Sequence, residues 1–586
     1  MHQASAASGR RGRRRKIIAW VIVTVVILAA AGATAGYLAL RTRGSPSQTA
    51  ASYLRGWQQG SYRAMGAVTV NAPPGGLAGP LQQAAAQLGL RSMHLTLGRV
   101  TSNGSTAQAR FTATNQLASG HAWTYQGQLQ LVKRNRHWWV SWSPAAIYPG
   151  LRAGERFAVQ AVWPPRAQVL AADGTVLSSP QAVAQSGSLS LLTGTVVAAT
   201  AAQAKALGVP YKAGDDIGLG GIEQAYQRQL AGQAAISIRI VGPGGHLDAV
   251  AARFPARPGT PVRTSIEMRY QLAASAAIRS AATSKPADIV AIQPSTGRVL
   301  AVVERPGGFD RALQGEFPPG STFKVVTASA LSRTGLRPSS IVQCPPTAVI
   351  DGRTFHNFDN EQLGTTDLLH AFAISCNTTF ALLATQRLTG PALASMARTF
   401  GFNATPSLGI PATLGRFTTP HQSVDMAADA FGQGTDLVNP LSQASVVAAI
   451  DDGTWRPPQL VISPAPPQTA QPRKLSPALL ATMRPMMRAV VTIGTAAGVG
   501  FPPGVYGKTG TAEYGSGSNP PTHAWFIGYR GDLAFAVIVE GGGVGADASG
   551  PIANAFVRHV CARPAGHRPA RKTIRRSGGR RGRAVA

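Results

Sequence analysis

Three short motifs stand in order in the C-terminal half of the chain: Ser321-Thr322-Phe323-Lys324, Ser375-Cys376-Asn377 and Lys508-Thr509-Gly510-Thr511. Together they hold what serine acyl transfer needs. A hydroxyl must be activated by a neighbouring base, a proton must reach the leaving amine, and an oxyanion must meet donors as it forms. Pro318-Pro319-Gly320 breaks the chain just before Ser321, the pattern from Thr322 to Leu331 is helical, and Gly335 is a plausible stop. This predicts Ser321 at a helix N-terminus, where free N–H groups and the dipole favour developing negative charge. Lys324, three residues on, shares its face. To act as a base Lys324 must be neutral, so burial or a nearby cation must lower its pKa; Lys508 is a candidate for that cation.

Lysine is scarce, at positions 16, 133, 205, 212, 285, 324, 474, 508 and 572. Only Lys324 has a serine three residues before it, and only Lys508 is followed by Thr-Gly. Alone, a Ser-x-x-Lys reads as a capped surface helix and a Ser-x-Asn as a turn. In order and in fitting contexts, the three resemble the set of the penicillin-binding proteins and class A β-lactamases, and more narrowly the class B penicillin-binding proteins. Glu316-Phe-Pro-Pro-Gly-Ser-Thr-Phe-Lys324 resembles the P-P-G-S-x-x-K form of that family. His523-Ala-Trp-Phe-Ile-Gly528 resembles the strand that follows its K-T-G motif, and Trp525 and Phe526 read as packing.

The resemblance implies roles. Ser321 is the nucleophile and Lys324 its base. Ser375 relays a proton to the leaving amine, while Asn377 orients Lys324 and binds the substrate amide. Lys508, Thr509 and Thr511 bind a substrate carboxylate, and Gly510 lets the backbone approach closely. The N–H groups of Ser321 and Thr511 form the oxyanion hole. A strand carrying the third motif can pair with an extended peptide by β-addition.

The chain has 586 residues and a formal charge of +32. Such a charge invites a nucleic-acid reading, but its distribution argues against one. Arg10, Arg11, Arg13, Arg14, Arg15 and Lys16 precede an apolar run, and a tail from Arg563 to Arg583 is basic without any acid. Basic ends also suit anionic lipid or cell-wall polymers. Residues 17–40 carry no charge and as a helix would reach about 36 Å, against a hydrocarbon core of roughly 30 Å. A cleaved signal peptide would show a shorter apolar stretch, of roughly 7–15 residues. We therefore expect a retained single-pass anchor, with the basic N-terminus cytoplasmic and the remainder on the outer face of the cell membrane.

That compartment permits disulfides. Cys344 opens the segment leading to the second motif and Cys376 lies inside it. A Cys344–Cys376 bridge is expected, two buried thiols being the alternative, and Cys561 is left over. No metal-ligand spacing is present, so neither metal nor cofactor is expected.

Five regions are expected in a multidomain α+β chain. Residues 1–43 are the basic segment and anchor. Residues 44–150 hold two helices, at Gln48–Trp57 and near Leu81–Leu90, then strands at His94–Val100, Ala107–Ala113, Trp123–Lys133 and His137–Ser143. This small cone-shaped module resembles the nuclear transport factor 2-like module of the methicillin-resistance type, with Trp138, Trp139 and Trp142 as packing. Residues 151–262 form a β-rich pedestal of the penicillin-binding protein dimerisation type, with a hairpin at Asp173-Gly174. The family's usual Arg-Gly before that hairpin is Arg166-Ala167 here. Residues 263–562 form the transpeptidase domain, an antiparallel sheet flanked by helices, and residues 563–586 a disordered basic tail.

The resemblance implies D,D-transpeptidation of peptidoglycan stem peptides through a Ser321 acyl-enzyme, with β-lactams acylating the same serine. A membrane glycan polymerase is the implied partner. No second, glycosyltransferase domain is visible in residues 44–262. A D,D-carboxypeptidase, a β-lactamase and a non-catalytic scaffold or sensor are the alternatives.

Overall fold

The computed structural model describes residues 20, 22–31, 33–34, 44–308, 310–358, 361–517 and 520–561. The chain packs as two compact units. One is Met1–Arg166 with Ala198–Asp215 and Ala231–Gly259; the other is Ala167–Val197 with Asp216–Leu230 and Thr260–Ala586. Residues 151–262 thus contribute to both. The anchor expected over 17–40 lies largely outside the described residues; positions 20, 22–31 and 33–34 are helical. Among the described residues no helix is long and apolar enough to cross a membrane. The basic segment before residue 17 and the tail 563–586 lie outside the described residues.

In the first unit, helix α1 (Pro46–Gln58) begins with a capping box: Ser45 accepts from the Gln48 N–H and the Gln48 side chain returns to the Ser45 N–H. Helix α2 (Ala78–Leu88) ends at Gly89, which takes the left-handed conformation with φ 61°. Both pack on a sheet of β1 (Thr69–Val70), β2 (Leu90–Asn103), β3 (Thr106–Leu117), β4 (Ala122–Arg134) and β5 (His137–Ser141), in the order β1-β5-β4-β3-β2. On β3 every second residue, Ala107, Ala109, Phe111 and Ala113, is buried, as one covered face requires. These meet Tyr53, Leu54 and Trp57 in one core with Trp138, against which Trp142 packs. A second sheet, β6 (Arg156–Val162), β7 (Ala235–Val241) and β8 (Leu247–Phe254), has β7 in the middle.

The Asp173-Gly174 reversal is present, but as a turn closed by a single antiparallel bridge, Leu170 to Val176. Val169–Leu170 uses its other edge in a parallel pairing with Val262 and Arg263.

The second unit is built on a five-stranded antiparallel sheet in the order β10-β9-β13-β12-β11: β9 (Ala287–Gln293), β10 (Arg298–Arg305), β11 (Tyr506–Glu513), β12 (Thr522–Tyr529) and β13 (Ala534–Val539). Strands β9 and β13 are buried without alternation, which reports a sheet covered on both faces. The cover comes from α3 (Met268–Ser280), α7 (Pro440–Asp452), α8 (Pro477–Thr492) and α9 (Gly545–Cys561); α4 (Lys324–Ser332) and α5 (Leu368–Ala373) pack on α8, and α6 (Asn377–Arg387) on α4. Helix α4 is buried from Lys324 to Leu331, so it runs through the domain rather than over it. Strand β11, which carries the third motif, is the edge of the sheet.

Candidate active site

The chain around Ser321 is fixed from three sides. The Gly320 N–H donates to Gly432 O at 2.9 Å, Trp525 Nε1 donates to Pro318 O at 3.1 Å, and Gln443 Nε2 donates to Thr322 Oγ1 at 2.6 Å. Gly320 has φ 53°, and a Cβ there would stand 2.6 Å from Thr511 O, so only glycine fits. Residues Gly320–Phe323 form a 3₁₀ turn and the α-helix begins at Lys324. Ser321 is therefore in a tighter turn than the α-helical N-terminus expected from the sequence. In a 3₁₀ turn residues i and i+3 eclipse, which sets Lys324 directly over Ser321.

Lys324 is fully buried. Its Nζ lies 2.9 Å from Ser321 Oγ, 2.6 Å from Ser375 O, 3.2 Å from Ser375 Oγ and 2.6 Å from Asn377 Oδ1. An ammonium has three hydrogens for these four oxygens; a neutral amine has two, and a lone pair that can accept from a serine hydroxyl. Burial, and after it the Lys508 charge, push the Lys324 pKa well below its ordinary value, with Glu361 opposing. Lys508 is also fully buried, and burial lowers it to about 7, again against Glu361. Its Nζ lies 2.8 Å from Ser375 Oγ and 3.0 Å from Thr509 O. The first-motif base, the second-motif hydroxyl and the third-motif lysine are thus one contiguous hydrogen-bonded chain.

The second motif is held by strain and by cross-links. Ser375 has φ 70°, an uncommon conformation for a non-glycine residue. It lies between α5, capped by Asp367 on the His370 N–H, and α6, where Cys376 accepts from the Thr379 N–H. Cys344 and Cys376 are joined by a disulfide. Asn357 is buried beside it: its Oδ1 accepts from the Thr378 N–H at 3.0 Å, and its Nδ2 donates to Pro345 O at 2.9 Å and Glu361 O at 2.7 Å. Asn377 Nδ2 donates to His356 O at 3.2 Å.

On β11, Thr509 is buried and its hydroxyl lies 2.6 Å from that of Thr495. A Cβ on Gly510 would come 2.8 Å from Thr322 Cγ2 and 3.1 Å from Pro319 O; the strand backbone lies against the nucleophile turn with no room for a side chain. Thr511 Oγ1 accepts from the Gly545 N–H at 3.3 Å, which leaves its own hydrogen to donate.

The structure joins Ser321 and Asn377 to Lys324, Lys324 to Ser375 and Ser375 to Lys508 by hydrogen bonds, and sets Gly510 against the Ser321 turn. It adds Asn357, Gln443 and Thr495, none of which carries a local sequence signal: each is joined to its motif across the fold. Among the described residues no group of His, Cys, Asp and Glu could hold a metal.

Residues 288–561 match the penicillin-binding protein transpeptidase domain, and residues 45–155 match the NTF2-like N-terminal transpeptidase domain. The chain is 33% identical over 348 residues to the peptidoglycan D,D-transpeptidase PbpA of Mycolicibacterium smegmatis, covering 50% of this chain and 70% of that one. The chain belongs to the penicillin-binding protein transpeptidase family. It is 32% identical over 310 residues to PbpA of Mycobacterium tuberculosis, covering 43% of this chain and 62% of that relative. The structure of Pseudomonas aeruginosa PBP2 shares the fold, with a TM-score of 0.58, 23% identity and coverage of 68% of this chain and 96% of that one. A structure reported for a peptidoglycan synthase complex does so too, with a TM-score of 0.59, 22% identity and coverage of 70% and 93%. The multidomain α+β class and the transpeptidase fold expected from the sequence agree with these matches.

Proposed function

We propose that the protein is a peptidoglycan D,D-transpeptidase working through an acyl-enzyme on Ser321, and that β-lactams acylate the same residue. The observation that carries this reading is the Lys324 amine, fully buried and 2.9 Å from Ser321 Oγ. Neutral Lys324 takes the hydroxyl proton as Ser321 Oγ adds to the carbonyl between two terminal D-alanines. The N–H groups of Ser321 and Thr511 receive the oxyanion. Ser375, in contact with both lysine amines, passes the proton to the departing D-alanine nitrogen. The amine of a neighbouring stem then attacks the ester, loses its proton by the reverse route and leaves Ser321 free. Lys508, Thr509 and Thr511 hold the donor carboxylate, Asn377 orients Lys324 and the donor amide, and Gly510 keeps the edge strand bare for β-addition.

The same reading assigns residues 1–43 to the cytoplasmic segment and anchor, 44–150 to the NTF2-like module, 151–262 to a pedestal and 263–562 to the transpeptidase domain. In the helical stretch before residue 35, Trp20 is 73% and Leu28 65% exposed; a bilayer would cover such a surface. A membrane glycan polymerase is the partner this arrangement would serve, and the likeness in fold to a chain of a peptidoglycan synthase complex supports it.

The test is intact-mass analysis with peptide mapping after benzylpenicillin, and product analysis with a D-Ala-D-Ala peptide thioester and a D-amino acid acceptor. The expected results are one adduct, on Ser321, absent from Ser321→Ala, and a product joined to the acceptor. Trimmed monomer alone would mean a carboxypeptidase, and hydrolysed antibiotic a β-lactamase. Covalent penicillin retained by Ser321→Ala, or no adduct on the unaltered protein, would overturn the assignment.

A further inference from the structure

Thr495 belongs to none of the three motifs, yet its position is fixed by two of them. It follows α8 in Ile493-Gly494-Thr495. Its N–H donates at 3.0 Å to the carbonyl of Ala373, the last residue of α5 and two residues before Ser375. Gly494 lies so close to that carbonyl that a Cβ would collide with it. On its other side the Thr495 hydroxyl lies 2.6 Å from that of Thr509, the residue after Lys508.

A pair of threonine hydroxyls holds two hydrogens. One is used between them, whichever is the donor. Among the described residues neither hydroxyl has another hydrogen-bond partner, so one hydrogen remains for something outside the protein. Thr509 is 5% exposed and Thr495 is half-buried, so the second hydroxyl stands nearer the open side of the pair. A single O–H on the residue that follows Lys508 suits an anionic oxygen, because hydrogen bonds to charged acceptors are the strong ones.

We infer that Thr495 is a specificity-determining residue, forming with Thr509 a hydroxyl pair that recognises the C-terminal carboxylate of the donor peptide. The inference rests on the proposed transpeptidase reading and adds to it a group from outside the motifs. If Thr495 is the donor, it orients the Thr509 hydroxyl so that its hydrogen turns to the carboxylate, and polarises it; if it is the acceptor, it gives the carboxylate its own hydrogen. In either case the pair fails when Thr495 loses its oxygen.

The experiment compares Thr495→Val and Thr495→Ser with the unaltered protein on two D-alanyl thioesters. One has a leaving group bearing a carboxylate; the other has that carboxylate converted to an amide. Valine keeps the shape and removes the hydroxyl. For the carboxylate substrate Thr495→Val is expected to lose about tenfold or more in acylation kcat/KM, the scale of a hydrogen bond to a charged group. On the amide it should match the unaltered protein, and Thr495→Ser should restore the carboxylate rate. An equal loss on both substrates would make Thr495 merely structural and overturn the inference, as would no loss on either. Failure of the unaltered protein to form an acyl-enzyme with either thioester would instead refute the transpeptidase reading, and this inference with it.

Discussion

The amines of Lys324 and Lys508 converge on one hydroxyl, that of Ser375, at 3.2 and 2.8 Å. The two nitrogens are therefore at most about 6 Å apart, in a site where both are fully buried. Two unit charges at that separation repel by about 3 kcal/mol at an effective dielectric of 20. The repulsion adds to the burial that already lowers both groups. The pair thus favours one neutral amine beside Ser321 and keeps the remaining cation on Lys508, the lysine of the carboxylate-binding motif.

The pH dependence of acylation follows. A base that must be neutral loses rate as pH falls through its pKa. In Lys508→Met the neighbouring cation is gone, so the Lys324 pKa rises and the acid limb moves to higher pH. The second-order rate constant for benzylpenicillin acylation, measured from pH 5 to 9, checks this. A limb at unchanged or lower pH in the variant would remove Lys508 as a cause of the shift.

How much of this was legible in sequence depends on the distance over which each part is determined. Ser321, Lys324, Ser375, Asn377 and Lys508 could be read because each motif is a local spacing of chemically distinct residues. Strand β9 could be placed by its apolar run and the turn that follows it. The 3₁₀ form of the Ser321 turn could not be read, because it is imposed by Gly432, Gln443 and Trp525, all more than a hundred residues away. Asn357 and Thr495 were invisible for the same reason: an asparagine and a threonine acquire roles only from what the fold sets beside them. The Asp173-Gly174 reversal was legible because it is local; the parallel partner of Val169–Leu170, at Val262 and Arg263, was not, because it lies far along the chain.

Gly510 tests the close approach of β11 to the nucleophile. Its absent Cβ would meet Thr322 Cγ2 at 2.8 Å and Trp525 Cβ at 3.0 Å, and neither neighbour can retreat, since Thr322 and Trp525 are both buried. Gly510→Ala should cost about 1–3 kcal/mol of stability, the range for overpacking, and slow acylation of Ser321. Thermal unfolding and benzylpenicillin trapping check both effects; a variant as stable and as reactive as the original would show that the strand has slack.

The Cys344–Cys376 bridge closes a loop across 32 residues. In the chain-entropy account such a loop is worth roughly 3–4 kcal/mol. Cys376 lies between Ser375 and Asn377, so loosening it also loosens two groups that hold Lys324. Reduction, or Cys344→Ser with Cys376→Ser, is expected to lower Tm and to slow acylation together. Cys561→Ser removes the exposed free thiol and should do neither. Unchanged acylation in the doubly substituted protein would separate the bridge from the site.

In the segment that follows Gly432, Asp436 is 1% exposed and its carboxyl meets that of Asp429. Burial, and then the charge of Asp429, raise its pKa well above 3.8, while burial raises Asp429 to about 6. An acid whose folded pKa is raised binds more protons folded than unfolded. Its contribution to stability is complete below about pH 4 and is lost as pH rises through the folded pKa. The unaltered protein should therefore lose stability from about pH 4 through pH 6 and beyond from this pair. Asp436→Asn keeps the shape and cannot ionise, so it should flatten that slope and gain most over the original at the upper end of the range. Denaturant unfolding at pH 4.5, 6 and 7.5 measures the difference. A stability gap between the two proteins that does not grow with pH would mean that Asp436 titrates like an exposed carboxylate.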